Sequence, residues 1–178
     1  MKICVFCSAN DGIDPDFFEQ TRRLGQWAAA HGHDIVFGGV NQGLMECLAQ
    51  ATKDNGGRTI GVVPRIIEKT GRISDYVDVE IACDDLTDRK QLMIDQSDLF
   101  IALPGGIGTL DEIFTVAASA TIGYHQKPVV LYNIKHYWQP LIALLDQMAA
   151  QGMVRGDWHH YIHIADNLDD ISKLTETL

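Results

Sequence analysis

Short runs of β-branched and aromatic residues alternate along the chain with longer stretches whose apolar positions recur at helical spacing, and Gly, Asn, Asp or Pro marks most junctions. The pattern predicts strands at about 2–7, 33–37, 58–63, 76–81, 97–102 and 128–132, with a further one near 161–164. Between them it predicts helices near 15–31, 42–55, 86–95, 109–122, 137–151 and 168–176. The runs at 3–7, 99–103 and 129–132 are apolar throughout, as strands buried on both faces require. Strand and helix in alternation imply the α/β class, an open parallel sheet with helices on both faces, wound in right-handed units. Residues 64–75, with their Gly71-Arg72 turn, form the one long connection and read as a candidate mobile flap. No repeat or linker interrupts the pattern, and 178 residues suffice for one domain over 1–178 but not for two ordinary ones.

Charge narrows the partners. Asp and Glu number 24 against 14 Lys and Arg, a formal net charge of −10, and no basic cluster is denser than Arg22-Arg23 or Arg89-Lys90. Such a chain lacks the footprint for a nucleic-acid polymer. A small anion stays open, because one helix start and one arginine suffice to hold it. No apolar run approaches the roughly 20 residues of a membrane helix, so no membrane partner and a cytoplasmic location are expected.

Cys4 and Cys7 have C-x-x-C spacing but sit on a strand, where residues three apart face opposite ways, whereas a redox C-x-x-C opens a helix. Two unpaired core cysteines are expected. His159, His160 and His163 lack a carboxylate at zinc-site spacing, so no metal and no cofactor are expected. Trp27, Trp138 and Trp158 read as core or interface rather than as a base-stacking platform.

In an open α/β sheet the ligand lies on the loops at the carboxyl ends of the strands. Three stand out: Cys7-Ser8-Ala9-Asn10, Gly38-Gly39-Val40-Asn41-Gln42-Gly43 and Pro104-Gly105-Gly106-Ile107-Gly108-Thr109. The third can cradle a phosphate monoester, since glycines let the backbone approach an anion and the N–H groups of the helix start, with the Thr109 hydroxyl, then meet it. A purely structural turn is the competing reading. The loop is not a P-loop, having no lysine, and it is not a dinucleotide fingerprint, which needs glycine where Asp111 stands. A nucleoside triphosphate and NAD are therefore disfavoured.

Two charged residues beside these loops have a bland and a functional reading. Glu112 follows Thr109 by one helical turn, so the two either form a capping box or place a carboxylate in the cleft at the distance of a sugar ring. Arg89 follows Asp85 by four positions, so it either forms an exposed helical ion pair or clamps a phosphate.

Pro104-Gly105-Gly106-Ile107-Gly108-Thr109-Leu110-Asp111-Glu112 resembles the P-G-G-x-G-T-x-x-E signature of the Lonely Guy (LOG) family, the cytokinin riboside 5′-monophosphate phosphoribohydrolases. Phe37-Gly38-Gly39, Gly43-Leu44-Met45, Arg89-Lys90 and Lys127-Pro128-Val129 extend the likeness over about residues 2–155. The resemblance implies a Rossmann-like homodimer that hydrolyses the N-glycosidic bond of a nucleoside 5′-monophosphate, AMP or an N6-modified AMP, releasing base and ribose 5-phosphate. By position it implies Arg89 and Glu112 as the catalytic pair and Gly105, Gly106, Gly108 and Thr109 as the phosphate loop. It implies further substrate contacts at Lys90, Gly39, Met45 and Ser8. Such sequences have been labelled lysine decarboxylases, but a pyridoxal enzyme needs a buried Schiff-base lysine, and none stands out. The family pattern is broken at Val40, Glu46, Thr87 and Ala9, which bears on substrate identity more than on reaction type. The group that would protonate the leaving base is open among Asp111, Asp84, Asp85 and water. A non-catalytic nucleotide-binding protein of the same fold is the alternative.

Overall fold

A computed structural model describes residues 1–177. Seven strands, β1 (Lys2–Phe6), β2 (Asp34–Phe37), β3 (Thr59–Pro64), β4 (Val79–Cys83), β5 (Leu99–Ala102), β6 (Val129–Tyr132) and β7 (Ile162–Ala165), form one sheet in the order β4-β3-β2-β1-β5-β6-β7. Every neighbouring pair is parallel. The helices are α1 (Pro15–Ala30), α2 (Gly43–Asp54), α3 (Arg65–Glu68), α4 (Leu86–Asp95), α5 (Ile107–Thr121), α6 (Gln139–Ala150) and α7 (Leu168–Thr175). The architecture is the open parallel α/β sheet expected from the alternating pattern, in the Rossmann-like form that the resemblance implies.

The alternation of side chains along β1 divides the core. Ile3, Val5 and Cys7 pack with Leu24 of α1, Leu44 and Leu48 of α2 and Ile171 of α7. Cys4 and Phe6 pack with Met93 of α4, Ile113 and Val116 of α5 and Ile142 of α6. The two cysteines thus lie in opposite layers, free and buried. All three tryptophans are buried as well, at most 9% exposed.

The chain builds outward from β1 through β2, β3 and β4, then returns to pair β5 on the other side of β1. That reversal makes the β1–β5 boundary the switch point beside which ligands of such sheets bind. The strands β2, β1 and β5 are adjacent, so their three following loops meet at one edge.

Three elements differ from the sequence pattern. The strand expected from 76 begins at Val79, because the chain turns at residues 75–76 and the segment after it is tied to Thr59, whose Oγ1 donates to the Tyr76 carbonyl and whose N–H donates to the Asp78 carboxylate at 2.9 Å. The helix expected from 109 starts at Ile107, with Gly106 as its cap. The connection 64–75 is not a free flap: it contains α3, and Ile73 forms an antiparallel bridge with Val40. Asn41 N–H to the Arg72 carbonyl and Ser74 N–H to the Gly39 carbonyl, both 2.9 Å, fasten it to the loop after β2.

Candidate active site

Ser8 stitches the three loops together through its backbone. Its N–H donates to the Pro104 carbonyl at 3.2 Å, and its carbonyl accepts the Leu44 N–H at 2.9 Å. Its hydroxyl accepts the Asn10 N–H at 3.1 Å. The start of α2 is held further by Asp11, whose carboxylate accepts the Gly43 N–H at 2.9 Å.

The exposed Asp85–Arg89 pair does not form. Asp85 caps α4, its carboxylate accepting the Thr87 N–H at 2.8 Å and the Asp88 N–H at 2.9 Å. Arg89 turns inward instead, its side chain 13% exposed. Its Nε donates to the Val62 carbonyl at 3.2 Å, while Nη2 is buried with no partner. Gly38 makes room for it: a Cβ there would lie 2.0 Å from Arg89 Nη2 and 3.0 Å from the Met45 sulfur. Gly38, Met45 and Arg89 therefore share one corner.

Glu112 is equally committed to the interior. Because Gly106 caps α5 without any side-chain hydrogen bond, Thr109 is already inside the helix and the Thr109–Glu112 capping box is absent. The Glu112 carboxylate lies 4.0 Å from Arg89 Nη1. Burial pushes its pKa up to about 7, with Asp111 adding to the rise and Arg89 and Lys90 opposing it.

The glycine-rich loop is shaped by its own threonine. A Cβ on Gly105 would lie 2.1 Å from Thr109 Oγ1, so the buried hydroxyl folds back over a residue that must be glycine. At Gly106 and Gly108 a Cβ would meet nothing within 4 Å, and neither has positive φ. Packing does not demand glycine there, which leaves open space beside the first turn of α5.

Of the other expected residues, Lys90 gives its ammonium to both Asp111 oxygens at 2.8 Å. Asp84 pairs with Arg65 at 2.9 Å, so each of the three candidate carboxylic acids has another partner. Gly39 faces Ser74, as above. Val40 is buried against the 64–75 segment through its bridge, Glu46 holds one buried unpartnered carboxylate oxygen, Thr87 is exposed in the first turn of α4, and Ala9 is half-buried. Sequence spacing gives no sign of Tyr137, 32 residues beyond Gly105, whose hydroxyl donates to the Gly105 carbonyl at 2.6 Å. Among the described residues no group of three or more His, Cys, Asp and Glu converges as a metal site. No helix among them is long and apolar enough to cross a membrane.

A parallel sheet whose winding reverses beside a glycine-rich loop and a buried arginine–glutamate pair defines a Rossmann-like α/β protein with a candidate site at the carboxyl edge. Residues 45–175 match the family model described as possible lysine decarboxylase. Over 175 residues the chain is 37% identical to a probable cytokinin riboside 5′-monophosphate phosphoribohydrolase of Oryza sativa subsp. japonica, covering 98% of this chain and 78% of the rice protein. It is 34% identical to a cytokinin riboside 5′-monophosphate phosphoribohydrolase of Arabidopsis thaliana, covering 98% and 82% of the two chains. Among solved structures, the molybdenum cofactor binding protein of Rippkaea orientalis superposes with a TM-score of 0.76 at 27% identity, over 99% of this chain and 95% of that one. The chain belongs to the LOG family.

Proposed function

We propose that this protein hydrolyses the N-glycosidic bond of a nucleoside 5′-monophosphate, AMP or an N6-modified AMP, to free base and ribose 5-phosphate. The observation that carries the reading is the buried Arg89–Glu112 pair beside the open glycine loop, with one guanidinium nitrogen lacking any partner. Breaking the bond from C1′ to the base nitrogen sends its electron pair to the base and leaves an oxocarbenium-like ribose. The Glu112 carboxylate stabilises that cation and takes a proton from the water that attacks C1′. The N–H groups at the start of α5, the Thr109 hydroxyl and Arg89 hold the 5′-phosphate, and that remote anchor positions the ribose for attack. The departing base takes up, through water, the proton that Glu112 removed from the attacking water, which restores the carboxylate; Asp84, Asp85 and Asp111 are engaged elsewhere.

The names of the rice and Arabidopsis relatives support turnover. The name of the Rippkaea relative favours a second reading, a non-catalytic binding protein of the same fold. The purified protein incubated with AMP, an N6-modified AMP and adenosine separates them: free base and ribose 5-phosphate from the monophosphates, with adenosine left intact, is the expected result. Tight binding of AMP without product would favour the second reading, and adenosine cleaved as fast as AMP would remove the phosphate site.

The working form in this proposal is a homodimer in the cytoplasm, paired through α5. Exposed Phe114 of α5 and Ile122 just beyond its end flank a groove of about 510 Å³ that Leu145, Met148 and Met153 help to line. A second copy of the chain covers this apolar surface.

A further inference from the structure

Resting on the phosphate-loop reading above, we infer that Tyr137 is a positioning residue that aims the Gly106 N–H at the phosphate. Three carbonyls of the loop are held from three directions. Pro104 accepts from the Ser8 N–H at 3.2 Å, Gly105 from the Tyr137 hydroxyl at 2.6 Å, and Gly106 from the Leu110 N–H at 3.0 Å. In a trans peptide the carbonyl of one residue and the N–H of the next point in opposite directions in one plane, and no peptide here is cis. Each anchored carbonyl therefore turns the following N–H, of Gly105, Gly106 and Ile107, away from its anchor.

The middle anchor is the informative one. The Gly105–Gly106 peptide has no Cβ on either side, so nothing intrinsic to it resists rotation. A hydroxyl from a distant loop supplies the restraint. That loop has an uncommon backbone, Lys135 and His136 both having positive φ, 53° and 60°, a conformation that residues other than glycine keep only where neighbours restrain them. The conformation is held by Lys135 Nζ on Asp14 and Asp16 at 2.7 and 2.9 Å, and by Asn133 Oδ1 accepting the Trp138 N–H at 2.9 Å. The Tyr137 ring packs edge-on against Phe17 and Trp138, with centroids 5.6 and 4.9 Å away. Trp138 Nε1 in turn bonds the Ala102 carbonyl at 3.1 Å, so two neighbouring aromatic donors grip the end of β5 and the loop that follows. A backbone held in this way, just before the one side chain that reaches a two-glycine peptide, fits a geometry maintained for a ligand.

Tyr137→Phe removes the hydroxyl and leaves the ring contacts. Calorimetric titration with ribose 5-phosphate and with adenine, thermal melting, and steady-state kinetics on AMP test the inference. The expected result is ribose 5-phosphate binding about five- to twenty-fold weaker, the size of one lost hydrogen bond to a held group. Adenine affinity and the melting temperature stay unchanged, and KM for AMP rises by more than kcat falls. Unaltered ribose 5-phosphate affinity in Tyr137→Phe, with the wild type binding normally, would overturn this role and leave the phosphate loop standing. Equal weakening toward adenine, or a lowered melting temperature that accounts for the loss, would mean a structural role only. A wild type that does not bind ribose 5-phosphate would remove the phosphate-loop reading, and the role of Tyr137 with it.

Discussion

Arg89 Nη1 stands 4.0 Å from Glu112 Oε1, with the two side chains only 13% and 10% exposed. At that separation the pair attracts but makes no hydrogen bond. A pair built for stability would close the gap, since buried charges gain only when well paired and fully hydrogen-bonded. Here the guanidinium keeps an unpartnered nitrogen, and the carboxylate is pushed towards protonation at neutral pH.

Glu112→Gln is expected to lower turnover of AMP by about 10²- to 10⁴-fold while leaving its dissociation constant little changed. The variant should fold normally, because the helix cap is Gly106 and owes nothing to Glu112. Single-turnover rates and equilibrium titration check both halves. Near wild-type turnover would move the second, binding-protein reading to the front.

The pH dependence follows from the raised pKa. Glu112 acts as the carboxylate, so kcat should rise with pH through about 7 and then level off. Arg89 lowers that pKa, so Arg89→Ala should move the rise to higher pH as well as weaken AMP binding. Stability runs the other way. Between the ordinary carboxylate value of 4.5 and about 7 the folded protein keeps a proton the unfolded chain has lost, so stability falls as pH climbs through this window. The penalty is complete above about 7 and amounts to at most about 3 kcal/mol. Glu112→Gln lacks it and should therefore melt higher than wild type at pH 8 but not at pH 4, as paired thermal scans at the two pH values would show.

Gly108→Val should separate fold from ligand. A Cβ there would meet nothing within 4 Å, so stability should stay within about 0.5 kcal/mol of wild type, valine being no worse than glycine in a helix. Affinity for AMP should fall, because the branched side chain occupies the space beside the first turn of α5. Denaturant melts alongside titration decide it, and unchanged AMP binding would mean that the ligand does not approach this turn.

The α5 surface predicts a dimer at micromolar concentration in analytical ultracentrifugation. Ile122→Glu, at a side chain 65% exposed in the single chain, should shift the population to monomer, because it places a charge in an apolar interface. A wild-type monomer would contradict the proposed assembly.

Most of the fold was legible because burial leaves a period in the sequence. Apolar runs at 3–7 and 99–103 announce doubly covered strands, and Pro15 behind Asp14 or Asp85 before Leu86 announces a helix start. Glycines at strand ends likewise point to the edge where the candidate site lies. Other features depended on which partner a side chain reaches, and local spacing carries no record of that. Asp85 and Arg89 have ion-pair spacing, yet Asp85 spends its carboxylate on two backbone N–H groups and Arg89 turns inward over Gly38. Thr109 and Glu112 have capping-box spacing, yet the helix starts two residues earlier and the carboxylate is buried. Tyr137 and Gly105 lie 32 residues apart, and only the pairing of β5 with β6 brings their loops together. Period and punctuation are local properties of a chain, and they determined the layers. The competition of each polar group for hydrogen bonds is settled in three dimensions, and it decided the site.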